Sequence, residues 1–154
     1  MIFTTKRYMG NFACYLDSNI CIAYLQDPHV FHAKAVEILI NLRKKHMAPI
    51  ISPLVLDETT YIILRDARLK KKSNHILKIK KEIKKLLSVP FLRLINPPLE
   101  NQKQLKIFEF MKKFKLKPRD AYHLLTMKAN QVKYFASFDD DFKAVFSEGI
   151  LHKF

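Results

Sequence analysis

Lys117-Pro118-Arg119-Asp120-Ala121-Tyr122-His123-Leu124-Leu125 decides how the rest of the chain is read. Pro118 suits the first turn of a helix, where its missing N–H costs nothing and its fixed φ is already helical. Asp120, Leu124 and Met127 then recur at i, i+4 and i+7, which is one stripe of a helix. A carboxylate thus opens a stripe that should face the core. By itself Asp120 would only complement the positive end of the helix dipole, worth roughly 0.3 to 1 kcal/mol. It gains a further meaning if other acids sit at similar half-buried element ends, and Asp17, Glu58 and Asp139 do.

Upstream, residues 1–10 read as a short arm carrying Lys6, Arg7 and Gly10. Residues 11–16 (Asn-Phe-Ala-Cys-Tyr-Leu) form a short apolar run fit for a strand buried on both faces. It stops at Asp17-Ser18-Asn19, and a helical pattern starts at Ile20. An Asp at the carboxyl end of a buried parallel strand is where open α/β sheets place their chemistry, although such a residue more often caps the next helix. Asp27-Pro28 ends that helix. A second is expected over 30–45, facing inward through Val30, Ala33, Val36 and Ile40, followed by a strand at 48–51. Ser52 as cap and Pro53 at the first position start a helix over 53–65 that is apolar nearly all round and should be buried. Within it Glu58 falls among Leu54, Val55, Tyr61 and Ile62, whereas Asp57 lies off to the Leu64 side. An acid in such an arc is costly unless paired, protonated or bound to a metal.

Residues 66–88 make a Lys-rich helical segment, opposed only by Asp66 and Glu82, with Ile76, Ile79, Ile83 and Leu86 on one side. Its Lys78, Lys81 and Lys85 would form a solvated face attractive to phosphates. No aromatic residue flanks it, which disfavours a membrane-surface helix. A strand at 90–95 and a helix at 99–114 follow, the helix with Leu105, Phe108, Met111 and Phe114 inward. Its tail, Lys112, Lys113, Lys115, Lys117 and Arg119, is a second basic cluster directly beside Asp120. After the Asp120 helix, a strand at 134–137 ends in Phe138-Asp139-Asp140-Asp141-Phe142, and 150–152 can form a last strand.

Strands alternating with helices imply one domain over residues 1–154, a three-layer α/β/α sandwich with a parallel central sheet. Its strands all end on one side, so Asp17, Glu58, Asp120 and Asp139 should meet there. The composition fits and excludes alternatives. Among 154 residues only two are glycine, so no Gly-rich phosphate loop can be written. Lys and Arg number 28 against 14 Asp and Glu, a net charge of +14 that favours a polyanionic partner. A heat-adapted host would enrich Glu alongside Lys, and Glu has not risen. Cys14 and Cys21 read as small core residues, not a disulfide or a metal pair. With no signal-peptide pattern and no apolar run of membrane-spanning length, a cytoplasmic protein with no membrane association is expected.

Carboxylates crowded together need a cation, or some of them protonate. Oxygen ligands, with no His or Cys at metal spacing, suit Mg²⁺ or Mn²⁺, and such a site is standard equipment for phosphodiester hydrolysis. The surrounding Lys and Arg would hold a polyanion that the acids alone would repel. One His in a packing helix is more often structural than catalytic, and His123 is read so.

In order and spacing, four segments resemble the PIN-domain family: Tyr15-Leu16-Asp17-Ser18-Asn19, Leu54-Val55-Leu56-Asp57-Glu58, Arg119-Asp120-Ala121-Tyr122-His123-Leu124 and Ser137-Phe138-Asp139-Asp140-Asp141-Phe142. The resemblance spans residues 12 to 152. It implies a metal-dependent endoribonuclease with Asp17, Glu58, Asp120 and Asp139 as its acids and Asp17, Asp120, Asp139 and Asp141 around the metal. Ser18, Asn19 and Ser137 would be polar support. It also implies RNA as substrate, and an antitoxin protein or a second copy of the chain as partners, as in VapBC-type toxin–antitoxin pairs. An rRNA-processing nuclease without antitoxin and an inactive RNA-binding scaffold are the alternatives. A haloacid-dehalogenase-type phosphatase would need Asp-x-Asp after the first strand, and Asp17-Ser18-Asn19 lacks it.

Overall fold

The computed structural model describes residues 12–70 and 74–154, so the arm at 1–10, Asn11 of the first strand, and Lys71 and Lys72 of the basic segment lie outside the described residues. The elements run β1 (Ala13–Leu16), α1 (Ser18–Leu25), α2 (His32–Lys44), β2 (Ala48–Ile51), α3 (Pro53–Leu69), α4 (His75–Leu87), β3 (Arg93–Leu94), α5 (Asn101–Gln104), α6 (Lys106–Phe114), α7 (Pro118–Ala129), β4 (Tyr134–Ala136), α8 (Lys143–Ser147) and β5 (His152–Lys153).

All five strands are parallel, in the order β3-β2-β1-β4-β5. β1 is central and buried at every position, as its continuous apolar sequence requires. Tyr15 pairs with Ile50 on one side and Phe135 on the other. The outer strands β3 and β5 are two residues long, exposed, and carry Arg93 and Lys153. Short charged edges of this kind resist pairing with another sheet. α1 packs against α2, α3 and α4, and α6 against α7, the grouping that right-handed crossovers produce on the two faces of such a sheet. The order reverses between β1 and β4. In an open parallel sheet the carboxyl ends of such a strand pair frame a crevice.

Three helices differ from expectation. In α2 the buried residues are Ala35 and Leu42, with Ile38 and Leu39 packed beside them, whereas Val30 (85% exposed), Ala33 and Ile40 face out. α2 begins at His32 rather than residue 30, so its phase follows the later residues. The helix at 99–114 is broken in two at Leu105. The break resets the phase so that Ile107, Phe110 and Phe114 are buried, with Leu105 and Phe108 outside. α3 is longer than expected and not buried all round. Val55, Thr59 and Ile63 face in, while Pro53, Asp57, Tyr61 and Arg65 form an exposed row. No described helix is long and apolar enough to cross a membrane.

Candidate active site

Asp17 leaves β1 at its carboxyl end and caps α1, accepting the Ser18 backbone N–H at 2.7 Å through Oδ1. Capping a helix therefore does not exclude a second role. Its Oδ2 accepts the Ser137 hydroxyl at 2.6 Å and the Asn19 amide at 3.0 Å. Ser137 follows β4, so these bonds tie together the two strands that flank the crevice. The same Asn19 amide lies 3.0 Å from Ser137 Oγ and 3.1 Å from Asp139 Oδ2, and Asn19 Oδ1 accepts the Phe138 N–H at 3.2 Å. Asp139 Oδ1 in turn accepts the Asp141 N–H at 3.3 Å.

Glu58 enters from α3 and is largely covered, its side chain 13% exposed. It does so because Ser52 starts α3 at the carboxyl end of β2. Ser52 Oγ accepts the Val55 N–H at 3.4 Å, and Pro53 occupies the first turn. Glu58 Oε2 is 3.0 Å from His123 Nε2, and one ligand atom each of Asp17, Glu58 and His123 lies within 4.8 Å of the others. The fold thus brings a histidine to a place where sequence spacing offered none. His123 is buried, and both ring nitrogens are engaged, since Nδ1 is 2.8 Å from the Tyr15 hydroxyl. That hydroxyl lies 2.5 Å from Ser52 Oγ. A chain Ser52–Tyr15–His123–Glu58 therefore runs across the edge of the sheet and links β2, β1, α7 and α3. The sequence reading left Tyr15 out of the site and Ser52 as a cap alone. A usable signal was His123 at i+3 from Asp120, on the same helical face.

Asp120 sits half-buried in the first turn of α7, where it also meets the helix dipole. Burial raises its pKa, and the charges of Asp141 and Asp139 raise it further against His123 and Lys117. Asp17 is pushed up to about 6, chiefly by burial, with Asp139 adding to the effect and Ser137 and His123 opposing it. For Glu58, burial works upward but is outweighed by the hydrogen bond and charge of His123, with Ser18 and Arg119 helping, so its carboxyl lies below its usual value. Asp17, Glu58 and His123 meet within 4.8 Å, Asn19 bonds both Asp17 and Asp139, and Asp120 lies close enough to Asp141 and Asp139 for their charges to raise it. Cys14 and Cys21 are buried free thiols, pushed well up by burial.

The basic residues divide between two places. Lys117 reaches Asp141 at 3.4 Å, and Arg119 acts on Glu58, so both border the acids. Lys112 and Lys115 are exposed nearby at the end of α6, and Lys113 pairs with Glu148 at 2.5 Å. On α4, Lys81 is exposed, Lys78 lines a cavity with Leu25, Asp27 and Ile63, and Lys85 lies 5.0 Å over the Tyr24 ring. The neighbours of Lys78 and Lys85 are thus the far end of α1 and the second half of α3, not the acids.

Comparison with known proteins gives concordant matches. The PIN domain family model matches residues 14–146. Ribonuclease VapC2 of Methanocaldococcus jannaschii is 33% identical over 136 residues, covering 85% of this chain and 87% of that protein. Among solved structures, Mycobacterium tuberculosis VapC20, a Sarcin-Ricin loop cleaving toxin, superposes with a TM-score of 0.63 at 16% identity, covering 86% of this chain and 94% of that one. VapBC2 from Rickettsia felis, solved bound to a DNA fragment from their promoter, superposes with a TM-score of 0.62 at 16% identity, covering 92% and 97%. At that identity the two structures speak for the fold.

Proposed function

The chain belongs to the PIN-domain family, and from that premise we propose that it is a Mg²⁺- or Mn²⁺-dependent endoribonuclease acting as the toxin of a VapBC-type pair. The observation that carries this reading is the close approach of Asp17, Glu58 and His123 within 4.8 Å, with Asp139 bonded to the same Asn19 amide as Asp17 and Asp120 near enough to feel the charges of Asp141 and Asp139. Two of these acids have raised pKa values, chiefly from burial and in lesser part from neighbouring carboxylates, and a bound cation would offset both effects. An oxygen-rich donor set of this kind fits a hard divalent ion.

Asp17, Asp120 and Asp139, with Asp141 as accessory, are the groups that would hold the ion. The ion supplies Lewis acidity, making water more acidic and offsetting charge on the phosphate. The rest falls to the chain's own residues. Asn19 and Ser137 fix the orientation of Asp17 and hold Asp139 beside it. His123, itself anchored by Tyr15, keeps Glu58 ionised at neutral pH, which suits its carboxylate to accept a hydrogen bond from the attacking water. Lys112, Lys113, Lys115, Lys117 and Arg119 would hold the RNA backbone beside the acids, with Lys78, Lys81 and Lys85 as a more distant contact surface. The Methanocaldococcus relative supports the ribonuclease reading, and the Rickettsia VapBC2 structure supports an antitoxin partner. A second copy of the chain is a further partner, to be read by sedimentation.

Purified protein incubated with single-stranded RNA is expected to cut it with Mg²⁺ or Mn²⁺ and to stop with chelator or on Asp17→Asn. Full metal-dependent cleavage by both Asp17→Asn and Asp120→Asn would refute the site. Tight binding without cutting would leave an RNA-binding scaffold.

A further inference from the structure

Beside the acids lies a pair of stacked aromatic rings that the chemistry above does not use. Phe31, just ahead of α2, and Phe138, just after β4, have ring centroids 4.8 Å apart at an interplanar angle of 28°. Phe31 remains 37% exposed, and Lys34 places its Nζ 5.5 Å from the same ring. The Phe31 N–H donates to His29 Nδ1 at 3.1 Å, and the His29 ring lies 6.1 Å from that of Phe31, so the segment before α2 is held against itself. Phe138 is fixed independently. It stands between Ser137 and Asp139, and its N–H donates to Asn19 Oδ1, while the amide nitrogen of that side chain bonds Asp17 and Asp139.

We propose that Phe31 and Phe138, with Lys34, form a subsite that stacks one unpaired nucleobase of the RNA next to the phosphate presented to Asp17 and Asp139. The proposal rests on the ribonuclease reading for its substrate. Every base has a π face that can extend an aromatic stack, and an ammonium group beside that stack meets the phosphate backbone. A lone exposed Phe would need no explanation. Here two rings are already stacked, a cation lies over one of them, and the backbone of the other is tied through Asn19 to the acids. A paired base is already stacked within its duplex, so the subsite selects single-stranded or looped RNA and tolerates any base. Lys34 puts a positive charge beside the rings, which suits a nucleotide better than an apolar protein face.

The test is binding of a fluorescein-labelled single-stranded RNA to the full chain in chelator, where cleavage is off. Phe31→Ala is expected to bind about tenfold more weakly, the range for removing one base–aromatic stack. Phe31→Leu, which keeps apolar packing against Phe138 without a π face, should behave the same, and Phe31→Tyr should bind like wild type. One abasic position along the RNA should cost wild type about tenfold and cost Phe31→Ala nothing further. If folded Phe31→Ala and Phe31→Leu bind as wild type does, the subsite is refuted and the rings are left for packing or for a protein partner. Coupled losses in a protein that never cuts RNA with Mn²⁺ would reject the nuclease reading and leave the stacking subsite standing.

Discussion

Asp17 caps α1 and accepts from Ser137 and Asn19, and these hydrogen bonds favour its carboxylate while burial and the charge of Asp139 oppose it. Its carboxyl is raised from 3.8 to about 6, so between those values the folded chain keeps a proton that the unfolded chain has released. The associated stability is fully present below the unfolded value and is lost as pH rises through about 6. Ionised Asp17 then costs about 3 kcal/mol at neutral pH. In chelator, Asp17→Asn is therefore expected to melt above wild type at neutral pH and to lose that advantage in acid, while cleavage is abolished. Thermal melts at both pH values check this, and an advantage independent of pH would contradict it. Tyr15→Phe removes the hydroxyl shared by Ser52 and His123. It should cost about 1 to 3 kcal/mol in urea unfolding, since two buried polar groups lose a partner. The candidate acids stood out in the sequence because Asp17 and Asp139 follow strands, Asp120 opens a helix and Glu58 interrupts an apolar arc. The Tyr15–His123 bond was not, because its partners are 108 residues apart and a buried histidine looks like any packing residue until the fold joins them.

Among the elements, the inner strands and the starts of α3 and α7 were legible from local chemistry, namely apolar runs and Pro at the first turn. The faces of α2 and α6 were not. Exposed Val30, Leu105 and Phe108 mimic a core stripe, and a break at Leu105 shifts the phase of all that follows. Lys115 ends α6 in the left-handed region at φ 56°, a conformation that favours glycine. Lys115→Gly should raise stability by about 1 kcal/mol while weakening RNA binding, a split that melts and binding curves can read together. The two basic clusters are separable in the same way. Replacing Lys112, Lys115 and Lys117 with Ala should flatten the dependence of log K on log salt by roughly 0.7 for each phosphate no longer neutralised. Replacing Lys78, Lys81 and Lys85 should flatten it less, because Lys78 and Lys85 lie against the far end of α1. An equal effect would place the RNA across α4 as well.

For the molecule as a whole, the strand order answers how a chain of net charge +14 comes to hold a knot of acids. The order reverses between β1 and β4, so Asp17 and Asp139 follow neighbouring strand ends where one Asn19 amide bonds both, and Glu58 of α3 joins Asp17 within 4.8 Å. The sequence could indicate that these ends share a side of the sheet. Which strands flank the crevice depends on long-range pairing and could not be read locally. Lys117 and Arg119 at the start of α7 then border the acids, where their charge would offset the repulsion between the carboxylates and the proposed polyanionic substrate. The most direct test of that arrangement is anomalous scattering from crystals of the protein grown with Mn²⁺. A peak bounded by the carboxylates of Asp17, Asp120 and Asp139 is the predicted result. Manganese bound only elsewhere on the protein, with that pocket ordered and empty, would contradict it.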